Sequence, residues 1–170
     1  MQALILFFVE LCTLRRAPQD LPASGILLGI ALAADLFAGM LVGVTADIHW
    51  WTSLLQGFVE IAAMLIALYA ALNLMNMTAR FLQSATALLG SGALLGLLAL
   101  LPLSVNSSGT QATNLATLGA LLLLALVIWG IVVTGHILRH TFGITLGQGA
   151  AIAFTFEIAT LLLVTGLFGR

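Results

Sequence analysis

Five apolar stretches, each of 23 or 24 residues, follow one another with little between them: 22–44, 53–75, 81–104, 115–138 and 146–168. About 20 mostly apolar residues are needed for a helix to cross the hydrocarbon core. The connecting segments 45–52, 76–80, 105–114 and 139–145 are short and polar. Connections of that length make successive helices antiparallel neighbours and leave no room for a soluble domain. The expected fold is therefore all-α: a polytopic transmembrane bundle of five spans forming a single integral membrane domain over 1–170. Composition agrees. Only 6% of residues are charged, against about 25% in soluble domains. That excludes an ordinary soluble globule and a disordered tail. Five scattered arginines and no lysine provide no basic stripe for a phosphate backbone, so no nucleic-acid partner is expected. A single cysteine, Cys12, excludes an intramolecular disulfide.

Residues 1–14 are apolar but too short to span straight. A secretory signal carries its positive charge before the apolar run. Here Arg15 and Arg16 come after it, so a cleaved signal is not expected. Leu4, Phe7, Phe8, Leu11 and Leu14 fall on one helical face. This amphipathic pattern predicts a short N-terminal interfacial helix. The alternative is a short helix buried among its neighbours.

Arginine positions set the expected orientation. Arg15 and Arg16 precede the first span, Arg80 follows the second and Arg139 follows the fourth; only Arg170 falls on the other side. The positive-inside rule makes the four-arginine side cytoplasmic. The N-terminus is then inside and the C-terminus outside, as in a multi-pass protein of the bacterial inner membrane. Trp50 and Trp51, beside Asp47 and His49, stand where an outer aromatic belt belongs.

Membrane helices associate through close contact of small residues. Gly25, Gly29 and Ala33 mark such a stripe on the first span, and Ala63, Ala67, Ala70 and Ala71 on the second. Gly92 and Gly96, with Ala85 and Ala99, mark the third, and Gly147, Gly149, Ala150 and Ala151 the fifth. These read as packing faces within one bundle, with a homodimer seam as the alternative. Pro102 is expected to close or kink the third span. Asn114 is a candidate cap for the fourth. Asn106-Ser107-Ser108 and Asn76-Met77-Thr78 match the glycosylation pattern. The second of these lies on the cytoplasmic side, where it would not be used.

Ionisable groups within a span are expensive, so Asp35, Glu60 and Glu157 each demand an explanation. Measured from the expected outer span ends at 1.5 Å per residue, they lie about 13, 11 and 17 Å deep. That is one level, somewhat outside the midplane, with no basic residue beside it. A dry bundle could not hold three such charges without a cation. Three readings compete. The carboxyls are structural, hydrogen-bonded to Thr155, Gln56 or backbone carbonyls. Or they bind protons or a metal cation in a transport path. Or they meet a basic or polar group of a partner protein.

His136 and His140 share a face at the inner end of the fourth span, with Arg139 between them. They are candidate contacts for a ligand or lipid headgroup. The pair is incomplete as a metal or haem site, and charge at a helix C-terminus near lipid phosphates accounts for it more simply. No phosphate loop, His-Glu-x-x-His helix or Gly-x-Ser-x-Gly elbow is present. Gly90-Ser91-Gly92 is read as packing, and Cys12 as a small buried thiol. No catalytic residue, metal or cofactor is therefore nominated.

The layout resembles that of small bacterial members of the Yip1-like membrane family. It combines a short amphipathic start, the basic turn Arg15-Arg16-Ala17-Pro18, five tightly linked spans and the run Gly135-His136-Ile137-Leu138-Arg139-His140 before the last span. The resemblance covers nearly the whole chain. It implies a five-helix bundle without enzymatic activity. Eukaryotic members bind small GTPases in vesicle trafficking, but their acidic-aromatic-Gly-Pro motif has no counterpart here, so that role is not carried over. The expected function is a non-enzymatic scaffold or accessory subunit. Its partners would be the lipid bilayer and either other membrane subunits or a second copy. The rivals are a proton- or cation-coupled transporter using the three carboxylates, and a membrane enzyme or cofactor-binding subunit using His136 and His140.

Overall fold

A computed structural model describes residues 2–106 and 114–169. Six α-helices follow in order: α1 (Gln2–Cys12), α2 (Gly25–Thr45), α3 (Trp50–Leu74), α4 (Phe81–Asn106), α5 (Asn114–Phe142) and α6 (Leu146–Phe168). Short 3-10 turns lie at Pro18–Asp20 and Thr78–Arg80. There is no strand among the described residues. Five of the helices are long and apolar enough to cross a membrane. The all-α bundle of five candidate spans is thus present, with boundaries close to those expected.

Local chemistry explains the boundaries. Pro22 lies just before α2, and the Ser24 side chain accepts from the Leu27 amide to cap it, so this helix begins three residues later than expected. Thr145 and Gln148 form a reciprocal capping box at the start of α6. α5 runs four residues past its expected end, through His140 to Phe142. Gly143 then stops it with φ at +71°, its amide bonded to the Arg139 carbonyl. Glycine takes that left-handed conformation without steric cost. Pro102 does not close α4, which continues four residues beyond it to Asn106; the preceding turns already hold the helix. The expectations for the loop after Asn106, the Asn106-Ser107-Ser108 glycosylation match and the Asn114 side-chain cap lie outside the described residues.

α4 is the central helix. Between Ser84 and Ala93 nearly every position is buried, and most of the buried ones are small: Ser84, Ala85, Thr86, Ala87, Gly90, Ser91 and Ala93. Small side chains on all faces let several neighbours approach one axis. Their hydroxyls need partners at that depth. Thr86 donates to the Leu82 carbonyl and Ser91 to that of Leu88. Ser84 and Thr141 share a hydrogen bond of 2.9 Å between α4 and α5.

The glycine faces are used selectively. A Cβ on Gly135 would sit 2.6 Å from the Ala150 nitrogen, and one on Gly149 would strike the Gly135 carbonyl. This is the tight crossing of α5 and α6. Gly96 lies against Ala38 and Gly92 against Asp35, forming the α2–α4 seam. Gly43 makes room for Ser53, whose hydroxyl donates to the Gly39 carbonyl at 3.2 Å and ties the α2–α3 hairpin. The expected Gly25–Gly29 stripe is different. A Cβ at either position would meet nothing within 4 Å, so it is no packing face among the described residues. Gly147 is likewise open.

α1 keeps the predicted face. Phe8, Leu11 and Cys12 are buried, with Leu4, Phe7 and Leu14 packed around them. That face does not lie free on a surface. The Phe8 ring fills the notch at Gly90 of α4, nine residues into that helix. Trp129 Nε1, midway along α5, donates to the Cys12 carbonyl at 3.0 Å. α1 therefore leans into the bundle beside α4 and α5, which is the buried alternative for its inner face. Ile5, Leu6 and Val9 remain exposed on its outer face.

Candidate functional site

Asp35, Glu60 and Glu157 come from three helices and line one cleft. Asp35 is ten residues from each end of α2. Glu60 is ten residues from the Trp50 end of α3. Glu157 is eleven residues from each end of α6. At 1.5 Å per residue each lies about 15–17 Å from the helix end opposite the arginines. The common level is the middle of α2 and α6; Asp35 and Glu60 lie deeper than the sequence implied, because α2 ends later and α3 begins earlier than their apolar stretches.

The cleft has a volume of about 350 Å³. Besides the carboxylates, Gly39, Gly57, Gly92 and Thr160 contribute to its walls, with Met64 and Phe156 at its apolar end. Asp35 stands at the back, half-buried, while Glu60 and Glu157 are exposed at the opening. Gly92 makes the seat for Asp35: a Cβ there would lie 2.7 Å from Oδ1. Glu60 is within electrostatic range of both other carboxylates. Among the described residues, no basic side chain lines the cleft.

Helix geometry leaves this space open. At the arginine end α6 is held against α5 by the Gly135–Gly149 crossing. There α3, α4, α5 and α6 enclose only a small apolar cavity of about 110 Å³, which shares Met64 and Phe156 with the cleft. Further along, α6 stands away from α4. A second space of about 280 Å³ lies between them and α5, and Gly92 and Glu157 border both spaces.

The hydrogen bonds proposed for the carboxyls on the structural reading are not made. Thr155 donates instead to the Ala151 carbonyl. Thr160 donates to the Phe156 and Glu157 carbonyls of its own helix. Among the described residues, none of the three carboxylates has a hydrogen-bond or ion-pair partner; the ion pair present is Arg16–Glu10, at 2.8 Å. Also among the described residues, no three His, Cys, Asp or Glu side chains are close enough to hold one metal ion. The cleft is thus wider than a metal coordination shell. What it can do chemically is attract positive charge at a depth where water is scarce.

The histidine cluster is arranged differently. His136 is buried and its Nε2 lies 2.9 Å from the Arg16 carbonyl. It touches the segment between α1 and α2, where a headgroup contact was expected. The reason is that this segment folds back over the C-terminal end of α5. Gln19 donates to the His140 carbonyl, and Gln83 to the Leu21 carbonyl at 2.7 Å. Arg80 donates to the Thr141 carbonyl at 2.7 Å. The His140 ring packs edge-on against His136 with centroids 4.6 Å apart. Arg139 is exposed. The three residues named together in sequence thus separate into a buried clasp and an outward arginine.

Gly39 and Gly57 are cleft residues that the sequence reading did not single out. Their signal was present: Gly39 is one turn from Asp35 and Gly57 one turn from Glu60, on the carboxylate faces.

No family model, curated protein or solved structure matches this chain.

Proposed function

We propose that this chain is a non-enzymatic integral membrane protein that serves as a scaffold or accessory subunit, engaging another membrane protein through the acidic cleft. One observation carries the reading. Three carboxylates at a common mid-span level line a single opening, unpartnered among the described residues and with no basic side chain beside them. A carboxylate facing lipid at that depth is costly, so the opening is a surface to be covered. The arginine distribution supports placement in a bacterial inner membrane with the N-terminus cytoplasmic and the C-terminus outside. The Yip1-like layout supports a bundle without enzymatic activity.

A photo-reactive residue at Leu161, on the cleft wall, should cross-link a membrane protein partner. The same residue at Leu121, exposed on α5 away from the cleft, should cross-link lipid. Glu60→Gln with Glu157→Gln should abolish the Leu161 adduct while expression is kept. Equal adducts at both positions would overturn the reading.

The mid-span level of the cleft favours a second reading, proton- or cation-coupled transport, because transporter sites lie near the membrane midplane. Proton or cation flux in vesicles holding the purified chain, lost in the same double variant, would establish it in place of the first.

A further inference from the structure

We propose that the cleft between α3 and α6 receives a partner transmembrane helix that carries one basic side chain at its midpoint. This rests on the accessory-subunit reading and adds the chemistry of the partner. Charge complementarity is the first argument. Three carboxylates from α2, α3 and α6 face one volume without a cation among the lining residues. Size is the second. A cleft of about 350 Å³ admits one long side chain with a few waters but no helix, so the partner's backbone must lie along the opening and send a side chain in. An arginine or lysine at a helix centre is the long cationic group a bilayer presents at that depth, and it requires an acidic counterpart.

The glycines are a third and independent argument. Gly39 and Gly57 line the cleft, yet a Cβ on either would meet nothing within 4 Å. Packing within this chain does not call for them. Glycine on an open helix face lets a neighbouring helix approach closely. A second copy of this chain is the wrong occupant. Its Arg15, Arg16 and Arg80 lie in connections and Arg139 in the last turn of α5, all at one end of the bundle, and Arg170 follows α6. None can stand at mid-span opposite Glu60.

The test uses the full chain in phosphatidylcholine vesicles with a synthetic leucine-rich transmembrane helix bearing one central arginine and a dansyl group. Transfer from the native tryptophans reports binding. The arginine helix should bind at least about tenfold tighter than an all-leucine helix. Glu60→Gln with Glu157→Gln should remove that difference. Gly57→Leu should block binding by filling the approach, while Gly25→Leu, equally open but outside the cleft, should leave it unchanged. Equal binding of the two helices, or binding indifferent to the glutamine changes, would overturn the proposal. Failure of the underlying reading looks different. A partner captured at Leu161 whose cross-linked span lacks a basic residue would overturn this inference and leave the accessory role standing. Selective binding of the arginine helix with no adduct at Leu161 in the native membrane would support the charge-reading cleft and count against the accessory role.

Discussion

Cys12 shows how one residue's chemistry follows from its neighbours. It ends α1 with its side chain buried among Phe8, Leu11, Leu21 and residues of α4 and α5. Burial disfavours the thiolate, because a charge there loses its hydration. The thiol is accordingly pushed up to about 11. At pH 8 about one molecule in a thousand then carries the reactive thiolate, against roughly a quarter for an ordinary cysteine. Alkylation of the folded protein should therefore be slow at pH 8 and quicken about tenfold per pH unit up to that value. Denaturant should bring it to the rate of a free thiol. A fast reaction in the native protein, followed by mass spectrometry, would mean that α1 does not stay docked. Trp129→Phe removes the indole donor to the Cys12 carbonyl and should accelerate labelling by loosening that end of the helix.

Between elements, the decisive contact is the crossing of α5 and α6. Gly135 and Gly149 bring the two backbones together so closely that a side chain on either would collide with main-chain atoms. Main chain cannot swing aside as a flexible side chain can. Gly149→Leu should cost about 1–3 kcal/mol or more by overpacking, and the chain should lose its sharp elution in mild detergent after heating. Gly25→Leu is the matched control. It places the same volume where nothing lies within 4 Å and should be nearly neutral. If both variants behaved alike, the crossing would not be where the bundle is held. The same crossing explains the cleft. It pins α6 to α5 at the arginine end, while at the acidic level the space bordered by Gly92 and Glu157 separates α6 from α4.

Over the whole molecule, one end gathers the arginines. Arg16 meets α5 through its carbonyl at His136. Arg80 bonds the Thr141 carbonyl, and Arg139 projects nearby. The turn holding Asp47 and the exposed Trp50 and Trp51 joins the opposite ends of α2 and α3. Tags inserted at Arg15, Arg80 and Arg139 should therefore report the cytoplasm, and a tag at Asp47 the outside. Activity of a periplasm-dependent reporter at Arg80 would reverse the orientation. It would leave the bundle itself unchanged, since the helix packing does not depend on which side is which.

Five spans, their alternation and the shared depth of Asp35, Glu60 and Glu157 were legible without a structure. Apolar length and sparse charge are summed along the chain, and a bilayer reads them the same way whatever the tertiary contacts. The inward face of α1 was legible for the same reason: its three- and four-residue spacing is a property of one helix. Contacts between helices were not legible. Gly25 and Gly29 look as good a packing pair as Gly135 and Gly149 do singly, yet one pair faces open space and the other is a backbone collision avoided. Spacing gives the face of a helix, never the neighbour that covers it. His136 could not be assigned to the Arg16 carbonyl, because the two are brought together by a chain reversal over 120 positions. Whether the three carboxylates would meet was open for the same reason, since equal depth leaves the rotation of each helix free. The tertiary arrangement settled it by turning all three toward one cleft, with the α5–α6 crossing holding the helices together at one end and leaving the acidic level open.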